Sequence, residues 1–514
     1  LLHDRGSIEQ NIDIDLARLY IASGRQTQAA TLLSGISSSL DSLYLHTILG
    51  RSLGFERAVS SVRHSRSQVY QLLVESLPYS QTDEVFTAVE KERSLPFWGD
   101  LGSSSYAREA ISRAAALLEQ YTERPDASGD IQRIQAAIGD VLMEQMNNDS
   151  VSLQAARTGL RDTIAALHEV QSVLNTQEVV LEYFVAEQKV YVVTVRNDTA
   201  AVFTLNISAA DLKTVVDTYR ELLLRGKDMP GDTLWKSSAR LLSCELIEPL
   251  RTRGFLKRND HILIAPHQVT HLIPFGALPV CVPDSSEKFL LEESMVSYVP
   301  SGSFLVKSRG TPPREMHSVA AIASSELKYA DEEVKGIPVA AFRKASIVQD
   351  RDLDTKELLE KLSNHDLIHI AAHARMNFMH PLYSAISFSS GRVQLYEILG
   401  RPLTASLVVL SACETGIAAG AGGEVPAGHD LVSFPRAFLT AGARAVIASL
   451  WLVEDEATAT LMRTFYRHLT TSHNLQPSSA LIQAQREFLS DAQRTGKKAH
   501  PFYWGAFGLV GDLR

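Results

Sequence analysis

The chain has 514 residues, and its 45% hydrophobic and 21% charged residues are typical of a globular protein with roughly two to four domains. Its net charge of −9 argues against a general nucleic-acid-binding protein, which would be basic. No stretch approaches the ~20 apolar residues of a membrane helix, and Asp4 and Arg5 interrupt the apolar start that a signal peptide needs. The composition therefore predicts neither a membrane partner nor direct nucleic-acid binding.

Cysteine is scarce in this sequence. Cys244, Cys281 and Cys413 form an odd and sparse set, which does not suggest a disulfide framework. We therefore expect a reducing, cytoplasmic compartment. The first residue is Leu1 rather than Met, which leaves open whether the chain is a fragment of a longer protein.

Residues 1–177 are predicted to be α-helical. Six positions match the offsets of a tetratricopeptide repeat, namely Leu16, Ala17, Tyr20, Gly24, Ala29 and Leu33. One repeat cannot bury its own apolar face, because such arrays need about three stacked units. The segment is therefore either the last unit of an upstream array or an ordinary helical hairpin. Further helices are predicted at residues 66–93, 105–123, 130–146 and 151–174.

At residue 178 the pattern changes to β-branched and aromatic runs. The segments VVLEYFV, KVYVVTV and AVFTLNI are separated by short polar turns and predict an antiparallel meander. Two helices, at 209–225 and 232–250, precede a buried strand in HILIAPHQVTHLIPFGALPV. Another strand is predicted within 289–299, and the segment SRGTPPRE, residues 308–315, is typical of a linker.

From residue 316 to 514 strands and helices alternate. The predicted strands are 318–324, 338–342, 366–372, 406–412 and 444–450. The predicted helices are 329–336, 354–363, 430–441, 455–470 and 477–490. This alternation predicts an α/β domain with a mostly parallel sheet covered by helices on both faces.

Two of these strands end on reactive side chains. DLIHIAAHA ends near His373, and SLVVLSACETG ends its apolar run on Cys413. The carboxyl ends of strands in α/β sheets open onto the crevice that binds ligands. A thiol beside an imidazole becomes a strong nucleophile. The pair therefore suggests a cysteine-nucleophile hydrolase, although a buried cysteine at a strand end, taken alone, is usually a small hydrophobic residue.

Other kinds of site fit the sequence less well. His365, His369 and His373 recur every four residues, which on a helix would form a metal-binding face. In the predicted strand, residues 369 and 373 lie ~13 Å apart, so we expect no metal and interpret His369 as a core histidine. The glycine-rich stretch 416–428 lacks the Lys-Ser/Thr of a phosphate-binding loop and is interpreted as a loop that gates access.

Several segments together resemble the CHAT family of caspase-like cysteine peptidases, which are associated with tetratricopeptide repeats and related to separase. They are HIAAHA, LVVLSACETG, SFPRAFLTAGARAVIASLWLVEDEATATLM and AHPFYWGAFGLVG, preceded by ILIAPHQVTHLIPFGAL and VSYVPSGSFL. The resemblance covers residues 178–514 and implies a caspase/separase-type α/β fold. It also implies a degenerate protease-like half at 178–310, a catalytic half at 316–514 and repeats at 1–177 that receive a signal. No cofactor is expected.

The resemblance further implies a catalytic dyad of His373 and Cys413. The backbone N–H groups of Ala374 and Cys413 would hold the oxyanion. The family usually has glycine after the histidine, whereas alanine restricts φ to negative values. Asp366, seven residues before His373 on the same strand, is too far away to orient it.

Four further residues are candidates for the substrate pocket, namely Glu414, Ser449, Trp451 and Asp455. With Glu424 and Glu454 they suggest an acidic cleft that prefers a basic residue before the cut. The alternative is that Glu454 and Asp455 only open a helix, where acidic residues favour the first turn.

Three functions remain open from the sequence. The first is a cysteine endopeptidase that cleaves a protein substrate when an activator protein or the upstream repeat region acts on its helical part. The second is a catalytically silent scaffold on the same fold. The third is a hydrolase or transferase of small amides. The long helical region is typical of protein recognition and therefore argues against this third function.

Overall fold

The computed structural model describes residues 2–50, 55–78, 80–99, 164–281, 288–312, 315–352, 355–376, 384–389, 391–399, 401–412, 433–471 and 476–512. The predicted helices 105–123 and 130–146, most of the predicted helix 151–174, and Cys413, Glu414 and the glycine-rich stretch lie outside these residues. Within the described part, every helix is too short or too polar to cross a membrane.

Four helices form the N-terminal region: α1 (Leu2–Ala22), α2 (Gln26–Gly50), α3 (Phe55–Ser76) and α4 (Thr82–Gly99). Gly24 turns the chain between the first two with a φ of 76°, a conformation that glycine adopts without steric cost. Ala17, Ala29 and Leu33, three of the repeat-like positions, are fully buried. The single helix predicted at 66–93 is wrong, because the chain breaks at Pro78, which has no N–H to continue a helix.

The first part of the sheet contains β1 (Glu178–Val185), β2 (Lys189–Val195), β3 (Ala200–Ser208), β4 (His261–Ala265) and β5 (Met295–Tyr298). The first three form the expected antiparallel meander, and β4 and β5 run parallel to β1. The accompanying helices are α5 (Leu167–Val173), α6 (Ala209–Leu224), α7 (Trp235–Leu246), α8 (Glu248–Thr252), α9 (Leu290–Glu293) and α10 (Gly302–Arg309). All residues of β1 and β4 are buried, which explains their continuous apolar pattern.

The second part has five parallel strands in the order β7 (Lys344–Gln349), β6 (Ser318–Ala323), β8 (Leu367–Arg375), β11 (Leu407–Ala412) and β12 (Ala445–Ser449). Its helices are α11 (Ala330–Lys335), α12 (Thr355–Ser363), α13 (Leu395–Leu399), α14 (Phe434–Ala441), α15 (Asp455–Thr471) and α16 (Pro477–Thr495). The strand predicted at 338–342 is wrong, since a short turn of 3₁₀-helix follows Pro338 and the strand begins at Lys344.

Three strands are not predicted by the sequence: β9 (Ala385–Phe388), β10 (Gly391–Gln394) and β13 (Phe507–Gly511). The last of these joins the two parts, because it pairs antiparallel with β12 and parallel with β5. Val510 pairs with Val446 near the start of β12 and with Tyr298 at the end of β5. Strands β1, β4 and β5 therefore end at the opposite edge of the sheet from β8, β11 and β12.

Helices cover both faces of this continuous sheet. One face packs against α6, α7, α15 and α16 in a core that spans both parts. The other face is covered by α12 and α14 in the second part and by α3, α4 and α5 in the first. Phe86 and Val89 of α4 share the latter core with Val180 and Phe184 of β1, so the helical region packs directly on the sheet.

Charged side chains of α4 reinforce this contact. Arg93 donates to the carbonyl oxygens of Tyr183 and of Pro266, the latter at 2.9 Å. Glu90 accepts from the backbone N–H of Gly302, at 2.8 Å, at the start of α10. Burial opposes ionisation of Glu92, but the imidazole of His267, 3.4 Å away, and the neighbouring guanidinium groups outweigh it and lower the Glu92 pKa to about 2. The helical region is therefore held on the sheet by buried polar contacts as well as apolar ones.

The expectation that no disulfide forms is wrong. Cys244 of α7 is bonded to Cys281, with their Cα atoms 5.6 Å apart. A count of cysteines says nothing about proximity, and here the fold brings together two residues 37 positions apart in the sequence.

Reduction of this disulfide is expected to lower the free energy of unfolding by about 3 kcal/mol, because the open chain gains conformational freedom in the unfolded state. Urea unfolding with and without dithiothreitol measures the difference. The doubly substituted Cys244→Ser, Cys281→Ser chain should match the reduced protein and show no response to dithiothreitol. An unchanged unfolding midpoint for the wild type on reduction would contradict a stabilising bond.

Candidate active site

Strands β8 and β11 carry the predicted dyad. They pair in parallel from Leu367 with Leu407 to Ala372 with Ala412, without a shift in register. His373 follows Ala372 directly, and Cys413 follows Ala412 directly, although Cys413 lies outside the described residues. The last paired residues of this ladder are therefore the immediate neighbours of both candidates.

The end of β8 extends past its neighbour β6, whose last pair is Ala323 with Ala371. The small hairpin of β9 and β10 takes its place, and His373 pairs with Ser387 of β9. The His373 side chain is half-buried. It shares a strand face with His369, because residues four apart in a strand point the same way. The histidine is thus held on a strand that is paired on both sides.

Ala374 continues the same strand and pairs with Ile386. The described residues other than glycine with positive φ are Asn259, Gln268 and Lys498, so Ala374 has an ordinary extended backbone. The restriction that alanine places on φ therefore costs nothing in this conformation.

His369 and Asp366, the other residues considered near this strand, are held by polar contacts. The His369 ring is fully buried, with Nδ1 2.9 Å from the Tyr466 hydroxyl and Nε2 3.1 Å from a carboxylate oxygen of Glu333. Asp366 accepts from the backbone N–H groups of His317 and Ser318 at the opposite end of β8. In the described ranges, no three His, Cys, Asp or Glu side chains are grouped to hold a metal ion.

A cleft opens at the carboxyl ends of β11 and β12. Its described lining residues are Leu327, Tyr329, Ala330, Glu333, Ser411, Ser449, Val453, Asp455, Thr458 and Phe507. Ser411 is two residues before Cys413, and Ser449 ends the neighbouring strand. The cleft combines apolar walls with two carboxylates, Glu333 and Asp455.

The predicted pocket residues separate into two groups. Ser449 and Asp455 line the cleft. Asp455 is also the first residue of α15, so it both opens this helix and lines the cleft. Trp451 is not among the lining residues; it is 2% exposed, and its indole N–H donates to the carbonyl oxygen of Phe502 at 3.0 Å. Glu454 lies at the surface and pairs with Lys498 at 2.5 Å.

Glu333 is a cleft residue that the sequence did not reveal. It is one of three consecutive acidic residues, Asp331 to Glu333, in the first turn of α11. Such a run is typical of a solvated helix start. Glu333 differs from its two neighbours because it lies on the side of the helix that faces the sheet, where it is 4% exposed. The helical spacing of Ala330 and Val334, which form the buried face, is the signal that could have placed it beside the sheet.

The model of the CHAT domain matches residues 236–512, more than half of the chain. Tetratricopeptide repeat protein 28 of Mus musculus is 34% identical over 116 residues, which are 23% of this chain and 4% of that protein. The separase–securin complex of Saccharomyces cerevisiae, solved at 2.6 and 3.0 Å, aligns with TM-scores of 0.54 and 0.51 at 11% identity. Both alignments cover 95% of this chain and 37% of that chain.

The chain thus spans only a small part of the mouse protein and about a third of the separase chain. At 11% identity the separase alignment shows a shared fold, which confirms the predicted caspase-like α/β fold with a helical region in front. The identity to a tetratricopeptide repeat protein agrees with the association that the repeat-like helices suggested. The chain belongs to the CHAT domain family.

Proposed function

We propose that this chain is a cysteine endopeptidase that acts through His373 and Cys413. The register of β8 and β11 supports the proposal most directly, because Ala372 and Ala412 are paired and each precedes one member of the dyad. The carboxyl edge of a parallel sheet is also the edge at which α/β proteins bind their ligands.

In this mechanism the Cys413 thiolate attacks the scissile carbonyl carbon and forms a tetrahedral intermediate. His373 takes up the thiol proton and then donates it to the leaving amine, which gives an acyl-enzyme that water hydrolyses. The backbone N–H groups of Cys413 and Ala374 hold the oxyanion, and the loss of one such donor typically costs on the order of 10²–10³ in rate.

The cleft beside the dyad would receive the side chain before the scissile bond. Glu333 and Asp455 supply negative charge, and Leu327, Val453 and Phe507 supply apolar contact. Lys and Arg carry a cation on an apolar stem, so both fit this combination of walls. We therefore propose a preference for a basic residue before the cut.

A protein partner or an upstream repeat region would control this activity through residues 1–177. Helix α4 offers a route, since Glu90 and Arg93 contact the start of α10 and the ends of β1 and β4. The separase neighbour is itself in complex with securin, a protein partner. In this proposal residues 178–310 form a non-catalytic half, whose parallel strands end at the other edge of the sheet, and residues 316–514 form the catalytic half.

Alkylation of Cys413 tests the dyad while the substrate is still unidentified. Under non-reducing conditions Cys244 and Cys281 are bonded to each other, so Cys413 is the one cysteine outside the disulfide. A thiol paired with an imidazole remains reactive below pH 7, where a free cysteine, with a pKa of ~8.5, is largely protonated. At pH 6 we expect iodoacetamide to modify Cys413 about tenfold faster in the wild type than in His373→Ala, as measured by mass spectrometry. Equal rates in the two proteins would favour the catalytically silent scaffold.

A further inference from the structure

A second cleft lies on the opposite face of the sheet from the candidate active site, where β12, β13 and β5 meet. Its cavity volume is about 100 Å³, and it is open to solvent. Neighbouring residues of β12 separate the two clefts, because Ser449 lines the first and Ala448 lines the second. We call this second cleft the seam cavity, since its lining residues come from both parts of the sheet.

The walls of the seam cavity are mostly apolar. Val299, Leu439, Leu450 and Val510 contribute aliphatic surface, and Tyr298 contributes its ring. The Tyr298 hydroxyl donates to the carbonyl oxygen of Ile273 at 3.2 Å and accepts from the N–H of Phe275 at 3.1 Å. The ring also covers Gly508, where an added Cβ would lie 2.8 Å from ring carbon Cε2. The aromatic wall is therefore fixed in place.

The polar residues of the seam cavity are two basic ones, His271 and Arg436, and Ser433, whose side chain caps α14. Among the cavity residues that the structure describes, none is acidic. Burial, and then the positive charges of Arg93, His267 and Arg436, lower the His271 pKa to about 3. The imidazole is thus neutral near pH 7 and keeps one N–H donor.

We propose that the seam cavity binds a small amphipathic carboxylate. The apolar body would lie against Tyr298, Leu450 and Val510, and the carboxylate would meet the charge of Arg436 and the N–H of His271. A carboxylate is favoured over a neutral head group because hydrogen bonds to charged groups are stronger than those between neutral groups. The site lies on the other face of the sheet from the dyad and does not depend on peptidase activity.

A ligand here would contact β12, β13, β5 and α14 together. Because it would bind the folded chain and not the unfolded one, it should raise the melting temperature by a few degrees at saturating concentration, on the order of 3–5 °C for a chain of this size. This gives a readout that is independent of any catalytic assay.

Isothermal titration of the whole chain with sodium octanoate, 1-octanol and octylammonium tests the proposal. We expect octanoate to bind at least about tenfold more tightly than 1-octanol, and octylammonium to bind more weakly than either. Ala448→Leu, which fills the seam cavity, should weaken octanoate binding at least about tenfold, whereas Ser449→Leu, its neighbour on the other face, should leave the affinity within about twofold. Thermal melting checks that both variants are folded.

His271→Leu offers a second variant that keeps the volume of the cavity but removes its N–H. It should weaken octanoate binding several-fold and spare 1-octanol. Equal affinities for the three probes would overturn the proposal. So would undetectable binding at millimolar octanoate, or an equal loss in the Ala448 and Ser449 variants.

Discussion

Replacement of Cys413 by alanine will lower the cleavage rate by about 10⁴-fold or more, because no other group in the proposed mechanism supplies the nucleophile. Replacement of His373 by alanine will lower it by about 10²–10⁴-fold, since the thiol then lacks a proton acceptor and the leaving amine lacks a donor. Cleavage of a peptide library, with mass-spectrometric identification of the new N-termini, measures both effects even when the natural substrate is unidentified. The activity should be assayed with and without a protein that binds residues 1–177.

His317→Ala provides the matched control for the histidine variant. His317 lies at the start of β6, pairs with the exposed Glu315 and is remote from the carboxyl edge of the sheet. Its removal should change the rate by less than about twofold, as is usual for an exposed ion pair. Cleavage that persists in Cys413→Ala, or that falls equally in His317→Ala, would show that the dyad is not the source of the activity.

The parts of the fold that the sequence reveals are those with strong local patterns. β8 and β11 are short apolar runs between polar turns, so their existence and order follow from residues 366–372 and 406–412 alone. Once both are strands of a parallel sheet, their last residues must lie at one edge. The position of the candidate site therefore rests on local information, which explains why the predicted strands agree with β8 and β11.

The features that the sequence did not reveal depend on contacts between distant segments. The hairpin of β9 and β10 has four residues in each strand, and it is held by its pairing with the end of β8. β13 lies in a segment whose aromatic and glycine residues show little alternation, and its two partners are more than 50 residues away in sequence. The disulfide likewise joins Cys244 of α7 to Cys281, which is 37 positions away in the sequence. Such long-range pairings leave no periodic signature.

Removal of both cleft carboxylates, in the double variant Glu333→Gln, Asp455→Asn, will lower kcat/KM for peptides with Arg or Lys before the cut by about 10³-fold. A buried charge partner typically contributes ~2–5 kcal/mol to the recognition of an opposite charge, and Glu333 is 4% exposed. Peptides with a neutral residue of similar length, such as Met, should lose less than about threefold, so the preference should shift toward them.

Glu454→Gln, Glu456→Gln is the matched control for this loss of negative charge. Both glutamates lie next to Asp455 in sequence, but they pair with Lys498 at the surface. The control therefore removes the same formal charge from residues outside the cleft. Screened surface charges have small effects, so we expect little change in kcat/KM. If both double variants reduce cleavage after Arg equally, the preference arises from the general field around the site rather than from the two carboxylates. If neither reduces it, a cleft that selects basic side chains is excluded, while the dyad itself is still tested separately by Cys413→Ala.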